Sequence, residues 1–579
     1  MKKLSYITIS FFALLTLLYS CDDVINYLDK APGVDVTEDT IFSSPTQLET
    51  FVIGTYYYGL MSDALAFWDA RDKADGTIAY ASDECEIHPS WFSYQSCWNQ
   101  AGMNASSLRM CGDQGFDTRW IAIRRANTII ERIDAAPFVN DAYKKQVLGE
   151  AQFLRAFNHF EQFKRYGGIP IVEKRFAAGD DLHIPRSNVE DVIRFIVIEC
   201  EKAISNLPHA NEYPSNQRGR ATKAAAMALK ARTLLYAASK TYNTDKPYLD
   251  HGANNNLICY GNYDKERWKA AYEAAKDVLD EAAISEIKLV DDQGADKNYR
   301  YVWETADNNE IILAEKHSAM RYTGHFPWSY YLPSSGGYWV TFNFMKLYER
   351  KDGTAQPWND NGGENLMDIF NNMDPRFKQT FVCHGDFFNN DYPNMEFART
   401  GNNAARNEPI GGGCHGAIVH KPLPYIVQTT GNVGAVPNGL IFKLSEFYLS
   451  YAEALNEYYA TPPQEAYDAV NTIRNRSGMP NLPNGLSQSQ FRERVRNERA
   501  IELAFDGHRL WDIRRWEIAD EGIMKGKMYG IKQYKITGST EIRYEPYVFE
   551  ERSFKKAMYR NPLPQSEIDK GYLIQNPGY

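Results

Sequence analysis

Apolar side chains recur every three or four residues through much of this chain, the spacing that gives a helix one buried face. Between Glu150 and Tyr166 they are Phe153, Leu154, Phe157, Phe160 and Phe163, and Gly167, Gly168 and Pro170 follow as a stop signal. Asp191 to Leu207 repeats the pattern with Val192, Phe195, Ile196 and Ala203, and Pro208 ends it. Ala221 to Tyr242 is alanine-rich, with Met227, Leu229, Leu234, Leu235 and Tyr236, a composition suited to close helix crossings. Trp268, Ala271, Tyr272, Ala275, Val278 and Leu279 make another stripe. Ser445 to Tyr459 and Pro463 to Arg476 predict a helix hairpin broken at Thr461, Pro462 and Pro463.

Paired helices of this kind predict a mainly α fold: a tetratricopeptide-like helix-hairpin scaffold, an α/α superhelix, with long loop-rich insertions that carry the ligand site. The strict repeat of about 34 residues does not recur, so the units are repeat-like only. The scaffold is expected over residues 41–60, 117–283 and 443–516, and the loop-rich parts over 61–116, 290–440 and 517–579. Loops of such length inside a folded protein concentrate binding functions.

Glu498 to Trp516 is the densest stretch of mixed charge and aromatics. Ile501, Ala504 and Phe505 predict an amphipathic helix that breaks at Gly507, with Glu498 and Glu502 one turn apart on another face. Two neighbouring carboxylates invite a hydrolase reading, but a glycosidase needs its acid and base on opposing walls of a cleft. Arg499, Arg509, Arg514 and Arg515 lie close enough to neutralise them, so the stretch reads as an internal salt-bridge network under packed Trp511 and Trp516.

The chain has 64 basic and 74 acidic side chains, a net charge of −10, which argues against a nucleic-acid partner. Lys2 and Lys3 precede an apolar run from Leu4 to Tyr19, too short for a membrane span and typical of a secretory signal. Leu18, Tyr19, Ser20 and Cys21 resemble a bacterial lipobox, so residues 1–20 are expected to be removed and Cys21 acylated, with about 0.8 kcal/mol of anchoring per buried methylene. The other cysteines are Cys85, Cys97, Cys111, Cys200, Cys259, Cys383 and Cys414. Independent buried thiols are the leading expectation; Cys383 with Cys414, or two of the first three, are the alternatives. Zinc held by Cys383, His384, Cys414 and His415 is disfavoured, because adjacent ligands depart from the usual spacing. No cofactor is implied.

With 38 tyrosines, 29 phenylalanines and 11 tryptophans, rings are left over for the loops. Trp68, Asp69, Asp83, Glu84, Trp91, Phe92, Tyr94, Trp98 and Asn99 share the first long loop; Trp328, Tyr330 and Tyr331 lie in the second, among Pro327, Pro333, Gly336 and Gly337. Such clusters either seal a loop as a small core or form platforms where an indole face meets the C–H face of a sugar. Carboxamides, carboxylates and guanidinium groups nearby would then bond its hydroxyls.

Glu498 to Trp516 also resembles the C-terminal signature of the SusD/RagB family of surface nutrient-binding lipoproteins. Further likenesses run through the mature chain: Phe42, Gly54 and Tyr56; Glu150 to Pro170; Asp374, Pro375 and Arg376; Leu563 to Glu567; and Gln575 to Tyr579. Gly411 to His415 has no family counterpart. The resemblance implies a single domain over 21–579, anchored at the outer membrane with Asp22 and Asp23 as an export tag. It implies ligand contacts at Asp83, Trp91, Trp98 and Asn99, behind the family-like turn Ser82 to Glu84, and at Trp328, Tyr330 and Tyr331. It further implies an oligosaccharide ligand, no catalysis, and a partner SusC-like TonB-dependent transporter. Peptide capture is the alternative within the family; an α-helical glycoside hydrolase is the alternative from another class.

Overall fold

The computed structural model describes residues 38–64, 78–86, 97–108, 113, 115–138, 140–316, 339–388, 390, 393–398, 416–422, 438–536 and 538–579. The signal segment, Cys21, Trp91, Trp328, Tyr330 and Tyr331 lie outside the described residues.

Side-chain caps start several of the scaffold helices. Helix α1 (Pro45–Gly59) follows Ser44, whose hydroxyl accepts from the Gln47 N–H at 3.3 Å. After α2 (Phe116–Arg132), the long α3 (Asp141–Tyr166) starts behind Asn140, which accepts from the Tyr143 N–H at 2.8 Å. Asn188 caps α4 (Val189–Asn206) and Thr222 caps α5 (Lys223–Ala238) in the same way. Helices α6 (Glu266–Ile284), α7 (Asn298–Glu304), α8 (Leu444–Tyr458), α9 (Gln464–Arg476), α10 (Gln488–Glu502) and α11 (Arg509–Arg515) complete the main set.

Helix α3 begins at Asp141, earlier than the Glu150 expected from its apolar stripe, because its first turns are mostly polar and partly exposed. It ends at Gly167, whose φ of 81° suits glycine, and a Cβ there would sit 2.5 Å from the Leu257 carbonyl oxygen. Packing is sequential: α1 on α2, α2 on α3, α3 on α4, α4 on α5, α5 on α6, then α6 on α8, and α8 on α9 and α10. That nearest-neighbour stacking is the superhelical scaffold the pattern predicts.

Stretches read from sequence as loop also hold short sheets. Strands β1 (Cys85–Glu86), β3 (Trp339–Val340), β5 (Ile418–Val419) and β4 (Phe381–Val382) form one antiparallel sheet in that order. Strand β2 (Ile311–Glu315) pairs with β6 (Gly439–Lys443). The expected C-terminal loop instead contains the hairpin β7 (Gly526–Lys535) and β8 (Ile542–Arg552), with a register shift at Met528 and Tyr529.

The β2–β6 ladder is the seam between two apolar cores. Leu313 and Phe442 join the core of the helical scaffold, while Ala314 and Leu440 join the core under the small sheet, with Trp98, Phe377 and Phe505. No helix among the described residues is long and apolar enough to cross a membrane. Cys97 is disulfide-bonded, which corrects the expectation of an independent thiol at that position, while Cys85, Cys200, Cys259 and Cys383 are free and buried as expected. Cys85 and Cys383 are free, so the Cys383–Cys414 pairing is excluded.

Candidate functional site

Helix α10 shows why the pair of carboxylates in the signature is not an acid/base pair. Glu498 and Glu502 face inward, both at most 1% exposed. Glu498 meets Arg376 at 2.5 Å and Arg474 at 3.0 Å; Glu502 meets Arg476 at 2.6 Å and Lys443 and Arg376 at 3.3 Å. Burial pushes the Glu502 carboxyl up, but Arg476, Lys443 and Arg376 outweigh it and hold it well below the usual range. An acid that stays ionised cannot donate a proton.

The salt-bridge expectation holds, but the partners differ. Arg499 is the next residue on the helix, about 100° around from Glu498, and pairs with Asp512 at 3.1 Å. Arg515 pairs with Glu453 at 2.5 Å and Asp512 at 2.8 Å. Trp511 and Trp516, each 3% exposed, donate their indole N–H groups to Asp63 and Glu453. The helix stops at Glu502, short of Phe505, because Phe505 (φ 60°) and Gly507 (φ 79°) turn the chain.

That turn docks on Ser82 to Glu84. Both Asp83 oxygens accept from Arg509 at 2.8 Å. The Phe505 N–H donates to Glu84 Oε1 at 2.6 Å, and Ser82 Oγ lies 3.1 Å from Oε2. Burial pushes the Glu84 carboxyl up to about 8, so it is neutral at pH 7. Its protonated oxygen can donate to Ser82 Oγ, whose own hydrogen goes to the Ala79 carbonyl at 2.8 Å.

The expected ligand residues therefore separate. Asp83, Trp98 and Asn99 are 5%, 3% and 1% exposed, so they present little surface of their own. Trp98 belongs to the core under the small sheet, and the Arg514 guanidinium lies 5.5 Å from its ring centre. The Asn99 amide, with its oxygen facing Arg552, lies 3.2 Å from Nη2. Trp91, Trp328, Tyr330 and Tyr331 fall outside the described residues, but the ends of their segments do not.

Glu86 is the last residue of β1 and Trp339 the first of β3, and the two are register partners. The segment 87–96 thus departs, and 317–338 arrives, at one end of one ladder. Val419, the last residue of β5, lies at the same end, and the chain continues from there toward 423–437. Arg552 braces this end, donating to Glu86 and to Glu550 at 2.8 Å. Sequence reasoning missed Glu86, because a two-residue strand leaves no periodic signal, and Arg552, because its partner Glu86 lies 466 positions away. Elsewhere, a groove of about 650 Å³ lined by Arg218, Lys288, Asn308 and Lys316 opens beside β2, and a pocket of about 310 Å³ lined by Trp120, Phe176, Leu182 and Tyr572 lies beside α2.

The architecture has close counterparts. A family model described as "SusD family" matches residues 283–579, more than half of the chain. The chain belongs to the SusD family. A second model, "Starch-binding associating with outer membrane", matches residues 26–235. Among curated SusD-family relatives, SusD-like protein P25 of Formosa agariphila is 21% identical over 92% of this chain and 93% of its own length. SusD-like protein P2 of the same organism is 24% identical over 99% of each. Among solved structures, a SusD-like protein from Bacteroides fragilis aligns with a TM-score of 0.74 at 26% identity, covering 95% of this chain and 100% of that one. A laminarin-binding SusD-like protein aligns with a TM-score of 0.59 at 17% identity, covering 93% and 100%.

Proposed function

We propose that this chain is a lipid-anchored outer-membrane protein that binds an oligosaccharide and delivers it to a SusC-like TonB-dependent transporter without catalysis. The observation that carries the reading is the pairing of Glu86 with Trp339, which brings the ends of the two aromatic segments together. In this reading Trp91, Trp328, Tyr330 and Tyr331 stack on sugar faces, while Asp83, Trp98 and Asn99 support them from below. Family membership and the laminarin-binding relative favour sugar as the ligand class. The lipobox-like run to Cys21 supports the anchor.

Among the described residues the acids open to the hydrolase alternative are engaged: Asp83 is bound by Arg509, Glu84 is buried, and Glu498 and Glu502 are enclosed by cations, while Asp69 lies outside the described residues. Titration with a labelled glycan panel tests the proposal. At least one glycan should bind without turnover, and Trp91→Ala and Trp328→Ala should each weaken it by about tenfold or more, in line with losses at buried aromatic anchors. Turnover, binding of peptides alone, or unchanged affinity in both variants overturns it.

A further inference from the structure

Arg514 and Arg560 break the rule the rest of the signature obeys. One residue further along, Arg515 has two carboxylate partners, yet among the described residues no carboxylate pairs with Arg514 or Arg560. Both are 2% exposed. They share one acceptor: Arg514 Nε donates to the Tyr559 carbonyl at 3.2 Å and Arg560 Nη1 at 2.8 Å. Arg514 Nη1 also donates to Asn561 at 3.1 Å. Arg514 Nη2 and Arg560 Nε and Nη2 are buried without a hydrogen-bond partner, as is the Tyr248 hydroxyl, whose ring centre lies 5.7 Å from the Arg560 guanidinium carbon.

Aromatic rings offset part of this charge: Arg560 lies 4.0 Å from the Tyr242 ring centre, and Arg514 5.2 Å from that of Trp511. A ring acts on the face of a guanidinium, however, and leaves its in-plane N–H donors unsatisfied. A third guanidinium, Arg186, adds to the local positive charge; it is 9% exposed and donates only to carbonyl oxygens and the Asn576 side chain. The nearby Glu517 carboxylate feels Arg560 but pairs with Lys240 at 3.6 Å, so among the described residues the guanidinium groups have no counter-ion in contact, which is strongly unfavourable.

We propose that Arg514 and Arg560 hold a small monovalent anion, chloride in size, with the Tyr248 hydroxyl as a further donor. Nearly complete burial selects a compact ion of low hydration cost over sulfate or phosphate. The site joins the two cores, since Tyr248, Tyr559 and Trp98 belong to one and Tyr242 and Trp511 to the other. Its anion stabilises that junction, independently of which ligand the aromatic segments bind.

The test is thermal unfolding of the mature chain at fixed ionic strength, titrating chloride against gluconate. Tm should rise saturably by about 2–5 °C. Bromide should substitute, sulfate should not, and crystals grown in bromide should show an anomalous peak between Arg514 and Arg560. Arg560→Met should abolish the chloride dependence, and Tyr248→Phe, a smaller change that keeps the ring, should shift its midpoint to higher chloride. Equal Tm in chloride and gluconate, no bromide peak, or an unchanged midpoint in Tyr248→Phe overturns the site.

Discussion

Two acidic stretches, Glu498 to Glu502 on α10 and Ser82 to Glu84 beneath the small sheet, are equally buried, yet Glu502 is held ionised while Glu84 is neutral at pH 7. On α10 each carboxylate meets at least two cations, and those around Glu502 hold it ionised. In the Ser82 turn Arg509 is spent on Asp83 and Arg552 on the Ser82 carbonyl and Glu86, and Glu84 is left to hydrogen bonds alone. Burial alone does not decide what a carboxylate does in this fold; the count of cations brought to it by other elements does.

The strongest way to break the contrast is to remove a shared cation. Arg376 is 0% exposed and bridges Asp374, Glu498 and Glu502. Arg376→Met should leave buried charge uncompensated and cost about 3–5 kcal/mol in denaturant unfolding. A midpoint unchanged from that of the parent chain would mean the network carries no net stability. Arg376→Lys should recover only part, since an ammonium cannot span three carboxylates in one plane.

How much of this was legible beforehand follows from the range of each signal. The scaffold helices could be read because their stripes run through many turns, as with Phe153 to Phe163 on α3. The hairpin β7–β8 escaped because its alternation slips at the Met528–Tyr529 bulge, and the small sheet because its strands are two residues long. Burial of Glu498 and Glu502 was foreseen; their partners were not, because Arg376, Arg474, Arg476 and Lys443 come from distant positions. For the candidate site, the choice between an aromatic platform and a small core was open in sequence. Trp98 resolves to core, a matter of long-range packing that no local spacing encodes.

Trp98 sharpens the comparison from the other side, since its ring centre lies 5.5 Å from the Arg514 guanidinium in the core that also holds Ala81 and Phe505. Trp98→Ala should cost about 3 kcal/mol, the low end for a buried aromatic, as its cavity opens beside a guanidinium. Glycan affinity should fall along with stability. A variant of parental stability would return Trp98 to the list of direct ligand contacts.

The smallest effect is the most diagnostic, because its sign is opposite for the two stretches. Glu84 has a folded pKa raised to about 8, so its contribution is fully present below the unfolded value and is lost as pH rises through 8. Glu502 is depressed, so its contribution is present above the unfolded value and is lost on acidification. Glu84→Gln keeps the acceptor for the Phe505 N–H and replaces the protonated oxygen with an amide donor toward Ser82. Stability at pH 5 should change by less than about 1 kcal/mol, whereas at pH 8 the variant should exceed the parent by about 1–3 kcal/mol. Glu502→Gln should destabilise at neutral pH and flatten the acid limb of the stability curve, because the cations around it would lose their counter-charge. If both variants shift the pH profile in the same direction, cation count is not what separates the two stretches.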